Sequence, residues 1–136
     1  MKKLAIIFTG IFLPIASYAV PATVNYIFDG DTFGAQVKLE DNIKISVRVR
    51  ILDIDAPEIN GKCDSEIQGA KIAKKRLSEL LPLGAVVELT DIKDDKYLGR
   101  IDANVKTSKG VNVSDVMIKE KLVRKYNGGH RFGWCK

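Results

Sequence analysis

The chain is poor in the residues from which zinc sites and disulfide frameworks are built. Its 136 residues include only two cysteines, one histidine and one tryptophan. Neither cysteine has a histidine or a second cysteine at the spacing of zinc ligands, which argues against a zinc site. In an oxidising compartment a lone pair of cysteines usually forms a disulfide. We therefore predict a bond between Cys63 and Cys135 if the chain is exported.

The sequence also lacks internal repeats, low-complexity linkers and an alternation of strands with crossover helices. With 46% apolar and 29% charged residues, the composition is that of an ordinary globular domain. A parallel α/β sheet would require alternating strands and helices, so its absence argues against that architecture. We expect one domain.

The first residues differ in composition from everything that follows. Two lysines precede an apolar run over residues 4–15, and small residues follow up to Ala19. This order is typical of a secretory signal peptide, and the run is short for a membrane-spanning helix. We predict a signal peptide over residues 1–19 and a folded domain over 20–136, exported to the periplasm or secreted. An uncleaved membrane anchor is the alternative.

Positive charge exceeds negative charge only modestly. The formal net charge is +5, and loss of the leader, which contains two lysines and no acid, would reduce it from +5 to +3. Such a charge tolerates a polyanionic partner, but many secreted proteins without one are equally basic. Net charge therefore does not decide the function.

Alternating apolar residues predict a β-hairpin followed by a third strand. Residues 23–28 and 32–39 have strand composition and flank the turn Asp29-Gly30-Asp31. From residue 43 to residue 51, isoleucines and valines alternate with lysine, serine and arginine. This period of two indicates a half-buried strand with one face in the core and the other face basic.

Two helices and two more strands are predicted beyond the third strand. Apolar residues recur at helical spacing over 65–81, and Ser65 with the glutamine three residues later is placed as a capping box. Strands are predicted over 86–92 and 100–106, and a second helix over 112–122. This order of short elements predicts an α+β, mainly β fold: a small five-stranded OB-type barrel with two or three helices.

Residues able to carry chemistry are concentrated in three segments. In residues 29–32 two carboxylates flank a glycine, which by itself indicates only a good turn. In residues 50–58 a strand ends in three acids, and Pro57 forces an extended or turning backbone before Glu58. Such a density of acids at a strand end is more typical of a site than of a solvated loop. Residues 95–100, taken alone, read as a turn.

Together these segments resemble the staphylococcal nuclease (thermonuclease) family. That family has an Asp-Gly-Asp-Thr turn, an arginine five residues before an Asp-x-Pro-Glu sequence, and a turn similar to Lys-Tyr-Gly-Arg. This chain has the same features in the same order at 29–32, at Arg50 with Asp55, and at 96–100. Its closing segment, 126–135, resembles an exported bacterial branch of the family that carries a disulfide.

The resemblance implies a nuclease that hydrolyses phosphodiester bonds of DNA and RNA with little sequence specificity. It implies one bound Ca²⁺ or another divalent cation, a monomer, and no protein partner. The implied catalytic residues are Arg50, Glu58 and Arg100. The implied metal ligands are Asp31, Asp55 and Ala56, and the implied substrate contacts are Lys96 and Tyr97. Ala56 stands where the family has threonine and would contribute its backbone carbonyl, while Leu98 is an insertion.

The residue types agree with what phosphodiester hydrolysis requires. The reaction needs neutralised charge on the phosphate, an activated water and a stabilised transition state. Aspartates are hard oxygen ligands suited to Ca²⁺, a glutamate can act as general base, and arginines can hold a phosphate in forked hydrogen bonds.

The spacing of Arg50 and Asp55 raises a geometric difficulty. They are an odd number of residues apart, so a regular strand would place their side chains on opposite faces. We therefore predict a bulge or bend between Ile51 and Asp55.

Two alternatives to a nuclease remain compatible with the sequence. OB-type barrels also serve as non-catalytic nucleic-acid-binding modules, which normally lack one of the acids or arginines that this chain keeps. A periplasmic adaptor for an acidic protein is the third possibility, but it would not explain the acid cluster.

Overall fold

A computed structural model describes residues 5–7, 9–11 and 18–136 of the chain. Most of the predicted signal peptide lies outside the described residues, and the leader remains a prediction. Within the described part, no helix is long and apolar enough to cross a membrane. The strands and helices are β1 (Val20–Ile27), β2 (Thr32–Lys38), β3 (Lys44–Ile51), β4 (Ile54–Asp55), α1 (Asp64–Leu80), β5 (Val86–Asp94), β6 (Arg100–Thr107), α2 (Val113–Lys119) and β7 (Arg124–Lys125).

Five of these strands form a closed barrel in the order β1-β2-β3-β6-β5, with β5 also pairing to β1. The β3–β6 pair is parallel and the other pairs are antiparallel. The predicted mainly β, five-stranded OB-type barrel is thus confirmed. A small additional sheet of β4 and β7 was not predicted, since strands of two residues carry no readable alternation.

The core consists of the inward-facing residues of the barrel together with one side of each helix. Phe33, Leu89 and Val105 are completely buried within the barrel, and Leu77 of α1 and Met117 of α2 join the same apolar cluster. Burying a side chain of this size stabilises the fold by about 1.5–3 kcal/mol. The two helices therefore share one apolar core with the barrel.

The predicted core face of β3 is correct only for the second half of the strand. Val49 and Ile51 are fully buried, whereas Ile43 and Ile45 are exposed. The strand pairs with β2 along its whole length, but it pairs with β6 only from Arg48 onward. Its first half therefore extends beyond the closed barrel, where no core is available to cover it.

Both helices differ from the prediction at their ends. The helix α1 begins one residue early, so its N-cap is Cys63, whose side chain makes no capping hydrogen bond. The predicted Ser65 capping box is therefore wrong. The helix α2 is capped by the Asn112 side chain, which accepts from the Asp115 amide, and it is shorter than predicted. The chain turns away at Lys121, whose φ is 58°.

Candidate active site

The turn between β1 and β2 brings the first acid of the site against α1. A Cβ at Gly30 would lie 2.6 Å from the Cβ of Ala73 and 3.0 Å from that of Ala56, so only glycine permits this close approach. Asp31 is buried beside the turn, and its Oδ2 accepts a hydrogen bond from the Ala56 amide at 2.9 Å. The Thr32 hydroxyl donates to Asp31 Oδ1 at 2.7 Å. The hairpin turn is thereby joined to the acidic segment.

A bend after β3 places Arg50 and Asp55 in the same site. Asp53 adopts a left-handed conformation with φ 68°, and Arg50 Nη1 donates to the carbonyl of Ile54 at 3.0 Å across the bend. The predicted irregularity is therefore confirmed. Arg50 Nη2 lies 3.6 Å from Asp31 Oδ2 and 3.9 Å from Asp55 Oδ1, so both carboxylates converge on one positively charged group.

The converging aspartates have the chemistry of a divalent-cation site. Both are buried, with Asp31 5% and Asp55 1% exposed, and buried carboxylates require a compensating positive charge. Carboxylate oxygens are the ligands that Ca²⁺ prefers. Ala56 is adjacent, but its observed polar contact is the amide that donates to Asp31, so ligation by its carbonyl stays a prediction.

Two arginines that the sequence analysis did not identify complete the charge balance of the acids. Arg124 of β7 donates to Asp55 Oδ2 through Nη2 at 3.1 Å. Arg131, in the segment after β7, donates to Asp55 Oδ1 at 2.6 Å and to Glu58 Oε1 at 2.8 Å. Its guanidinium thus bridges one proposed metal ligand and the proposed general base. These hydrogen bonds raise the pKa of Arg131 above its usual value, so it remains charged.

Asp29 is a second acid that the sequence analysis treated only as part of a turn. Burial raises its pKa to about 7, and the charges of Asp31 and Glu58 act in the same direction. Its Oδ1 accepts a hydrogen bond from the Asp31 amide at 3.0 Å. Asp29 therefore lies beside the site with a pKa close to neutral pH.

Above the buried acids lies an open cleft of about 1080 Å³. The sequence-predicted residues that line it are Asp31, Arg50, Glu58, Lys96, Tyr97 and Arg100. Asp55 and Ala56 are buried next to them. The cleft therefore brings together all the proposed catalytic and substrate-binding residues with Asp31, although these residues come from three separate segments of the chain.

Arg100 is held at the far side of the cleft by its own carboxylate and aromatic neighbours. Its Nε lies 2.9 Å from Asp95 Oδ2, and its guanidinium lies 4.4 Å from the centre of the Tyr97 ring. The ammonium of Lys96 lies 5.1 Å from the centre of the same ring. The inserted Leu98 is fully exposed, and Arg100 still lines the cleft.

The pKa values of the Asp95 and Asp102 carboxyls beside Arg100 are shifted in opposite directions. Burial raises the pKa of Asp102 to about 6, and the neighbouring Asp95 carboxylate acts in the same direction. Burial would also raise the pKa of Asp95, but the ion pair with Arg100, the hydrogen bond from the Tyr97 amide and the neighbouring Asp102 lower it to about 2. Asp95 is therefore the charged partner of Arg100 near neutral pH.

The predicted disulfide between Cys63 and Cys135 is present. It attaches the last residues of the chain to the loop before α1, close to Glu58 in sequence. Glu66 lies near both sulfurs, and among the described residues this is the one group of three acidic, cysteine or histidine side chains whose ligand atoms all lie within 4.8 Å of one another. Because its two sulfurs are bonded to each other, the cluster offers no thiolate to a metal.

No local pattern marked Arg124 and Arg131 as site residues. They lie 69 and 76 residues from Asp55 along the chain. The available signal was indirect, since a disulfide from Cys135 to Cys63 must bring the tail near the acidic segment. Tyr126, which the resemblance does not assign to the catalytic set, also lines the cleft, and its ring centre lies 5.9 Å from the Arg50 guanidinium.

Comparison with known protein families gave a match over most of the domain. Residues 48–131, more than half of the chain, match the model of the staphylococcal nuclease homologue family. The match includes Arg50, Asp55, Glu58, Arg100 and Arg131, and it begins after Asp31. A search of curated proteins gave no significant match.

Proposed function

Because this chain belongs to the family of staphylococcal nuclease homologues, we propose that it is a metal-dependent endonuclease. Family membership supports a nuclease or a nucleic-acid-binding protein. The finer proposal is hydrolysis of phosphodiester bonds in both DNA and RNA, with little sequence preference and with Ca²⁺ as cofactor. Phosphate contacts carry no sequence information, and the proposed site residues are of the phosphate-binding kind.

The observation that carries the proposal is the convergence of two arginines and a glutamate on the cleft next to two buried aspartates. Arg50, Glu58 and Arg100 all line the cleft. Asp31 and Asp55 both lie within 4 Å of Arg50 Nη2. Two carboxylates buried side by side are costly unless positive charge lies between them. The arrangement therefore favours a site that binds a cation next to an anionic phosphate.

Each residue has a distinct proposed role. Arg50 and Arg100 hold the phosphate from two sides of the cleft and stabilise the negative charge that builds up on it. Glu58 accepts a proton from, or orients, the attacking water. Asp31, Asp55 and the Ala56 carbonyl would hold the divalent cation, which when bound neutralises phosphate charge. Lys96 and Tyr97 contact the substrate at the edge of the cleft.

A non-catalytic nucleic-acid-binding module is the second candidate function. Such a module needs only phosphate and base contacts, so it has no use for Glu58 at the mouth of a buried aspartate pair. The presence of all five of Asp31, Arg50, Asp55, Glu58 and Arg100 favours the enzyme. The two functions predict the same substrate, DNA or RNA, and differ in whether that substrate is cut.

We also propose that the protein acts outside the cytoplasm, in the periplasm or after secretion. The support is the predicted leader over residues 1–19 together with the disulfide, because disulfides persist in oxidising compartments. N-terminal sequencing of protein recovered from the periplasm or medium should begin near Val20. A mature protein that starts at Met1 would contradict the proposal.

The nuclease is tested with Glu58→Gln, which removes the proposed base while keeping size and hydrogen bonding. We expect kcat on plasmid DNA and on RNA to fall by ~10²-fold or more, with a smaller effect on binding. Arg50→Lys and Arg100→Lys should lower kcat to a similar degree because lysine cannot form a forked contact. Excess chelator should abolish cleavage by the native chain.

Glu79→Gln serves as the matched control, since Glu79 lies on the exposed side of α1 in an ion pair with Arg76. It should cleave as the native chain does. If the native chain binds oligonucleotides but cuts neither DNA nor RNA at any divalent-cation concentration, the binding-module function replaces the nuclease.

A further inference from the structure

A row of basic and aromatic side chains crosses the outside of the barrel and ends at the candidate active site. In the strand register Tyr26 of β1 is opposite Gly34 of β2, and Gly34 is opposite Arg48 of β3. Arg48 is in turn opposite Arg100 of β6. Residues that are directly opposite across paired strands project from the same face. Tyr26, Arg48 and Arg100 therefore lie side by side on one surface.

Gly34 creates the space in which a further aromatic ring joins this row. A Cβ at Gly34 would lie 3.5 Å from Cε2 of Phe28 and 2.6 Å from Oδ1 of Asn25. The absence of a side chain there lets the half-buried Phe28 ring lie over the strand. The rings of Phe28 and Tyr26 meet edge to face with their centres 4.7 Å apart.

Cations are stacked on these rings. The Arg48 guanidinium lies 4.1 Å from the centre of the Phe28 ring, and the Lys74 ammonium lies 5.7 Å from that of Tyr26. Among the described residues, no carboxylate lies within ion-pair distance of Arg48, whereas Arg50 and Arg100 both have such a partner. Arg48 is also exposed. Its charge is thus available to an external anion.

The row is continuous with the candidate active site. Phe28 and Arg48 line the same cleft as Arg50, Glu58 and Arg100. Adjacent strands are about 4.8 Å apart, so the three steps from Tyr26 to Arg100 span roughly 15 Å. At roughly 3.4 Å per nucleotide, this is the length of about four stacked nucleotides of one strand.

We propose that Tyr26, Phe28 and Arg48 form a subsite for single-stranded nucleic acid beside the scissile phosphate. The Phe28 ring and the Arg48 guanidinium that lies over it form a platform on which an unpaired base stacks. The edge of the Arg48 guanidinium binds the adjoining phosphate, and Tyr26 with Lys74 extends the contact. Stacking requires the face of a base to be exposed, so paired duplex does not use the subsite. The identity of the ligand rests on the proposed function, whereas the row itself does not.

The subsite is tested by binding of labelled oligonucleotides in excess chelator, where no cleavage is expected. Single-stranded DNA, single-stranded RNA and a duplex of the same length are titrated against native chain, Phe28→Leu and Arg48→Gln. Phe28→Leu should weaken binding of both single strands roughly 5- to 100-fold, as expected for one lost base stack, and should leave duplex binding unchanged. Arg48→Gln should reduce the slope of log Kd against log salt by about 0.7.

Two matched variants control for nonspecific loss of aromatic surface and charge. Phe132→Leu removes an exposed phenylalanine of the tail, and Lys109→Gln removes an exposed cation of the turn before α2. Both should bind single strands as the native chain does. Circular dichroism and thermal melting establish whether each variant is folded. If Phe28→Leu proves unstable, Arg48→Gln still tests the subsite, because it alters only an exposed side chain.

Native affinity in both Phe28→Leu and Arg48→Gln would overturn the subsite while leaving the nuclease untouched. Equal binding of an acidic peptide such as polyglutamate, with the same dependence on Phe28, would also overturn it in favour of a protein ligand. Conversely, single-strand binding that depends on Phe28 in a chain that cuts nothing would support the subsite and reject the nuclease.

Discussion

Asp55 illustrates how charge is balanced at the level of single residues. It is 1% exposed, and the guanidinium groups of Arg50, Arg124 and Arg131 lie 3.9, 3.1 and 2.6 Å from its carboxylate oxygens. A buried carboxylate is tolerated only when such partners compensate for lost hydration. Asp55 is therefore held in position by one arginine of the preceding strand and by two arginines that are distant in sequence.

Asp102 provides a pH-dependent prediction at the same scale. Its pKa is raised from 3.8 to about 6 in the folded chain, so its ionisation destabilises the fold above pH 6, and this cost disappears as the pH falls toward 4. Asp102→Asn should therefore be more stable than the native chain at pH 8 by on the order of 1 kcal/mol, and equally stable near pH 4. Urea unfolding across this pH range measures the difference.

The lowered pKa of Asp95 governs how stability changes at acidic pH. Because its pKa is lowered to about 2, Asp95 contributes stability that is present above pH 4 and is lost as the pH falls toward 2.

The control for Asp102→Asn is Asp41→Asn, at an exposed aspartate of the 3₁₀ turn Glu40–Asn42. Its stability should follow that of the native chain across the pH range. A pH-independent effect of Asp102→Asn would contradict the titration of that carboxyl.

At the level of elements, the segment after β7 connects the end of the chain to the active site. Arg131 in this segment contacts Asp55 and Glu58, while the Arg124 guanidinium of β7 is stacked on the Trp134 ring at 4.0 Å and donates to the carbonyl of Phe132. The tail is thus packed against β7 and not merely appended to the domain.

Arg131→Gln should strengthen cation binding, because the guanidinium and a divalent cation compete for the same carboxylates. We expect the Ca²⁺ concentration for half-maximal binding to fall by roughly 3- to 10-fold, equivalent to about 1 kcal/mol. Calorimetry and the rise of Tm with added Ca²⁺ both measure this without an activity assay. Lys125→Gln removes an exposed charge of β7 and should leave the affinity unchanged. Weaker Ca²⁺ binding by Arg131→Gln would show that Arg131 organises the site instead of competing for it.

At the level of the whole molecule, the disulfide closes a loop that contains both helices and two barrel strands. Cys63 and Cys135 are 72 residues apart in sequence. The chain-entropy estimate for such a loop is about 4 kcal/mol of stabilisation. This large closure restrains the unfolded chain and keeps the tail beside the loop that follows Glu58.

Reduction should therefore lower the free energy of unfolding by up to about 4 kcal/mol and lower Tm by roughly 10 °C or more. The barrel residues of the site do not depend on the bond for their position, so the reduced chain should stay folded at low temperature. The measurement is thermal melting with and without reductant, after thiol titration has verified the reduction. The double variant Cys63→Ser with Cys135→Ser should behave like the reduced chain and should not respond to reductant. An unchanged Tm would contradict the prediction.

The amino-acid sequence by itself determined the elements and most of the candidate site. Periods of two and 3.6 residues record which side of a strand or helix is buried, so they located the five barrel strands and both helices. The cluster of acids at 53–58 was locally distinctive, whereas Asp31 and Arg100 became candidates through the resemblance to the staphylococcal nuclease family. The bend near Asp53 followed from strand alternation together with the expectation that Arg50 and Asp55 face one site.

Only the tertiary structure decided what lies beyond those local patterns. The first half of β3 is exposed because β6 does not extend to cover it, and no property of β3 alone reports the length of a partner strand. Arg131 reaches Asp55 across 76 residues of chain, and the row from Tyr26 to Arg100 exists because four strands pair in one register. These residues come together only when the barrel closes and the disulfide holds the tail beside the loop before α1. Contact between residues that are distant in sequence depends on the whole path of the chain and not on the residues that flank each of them.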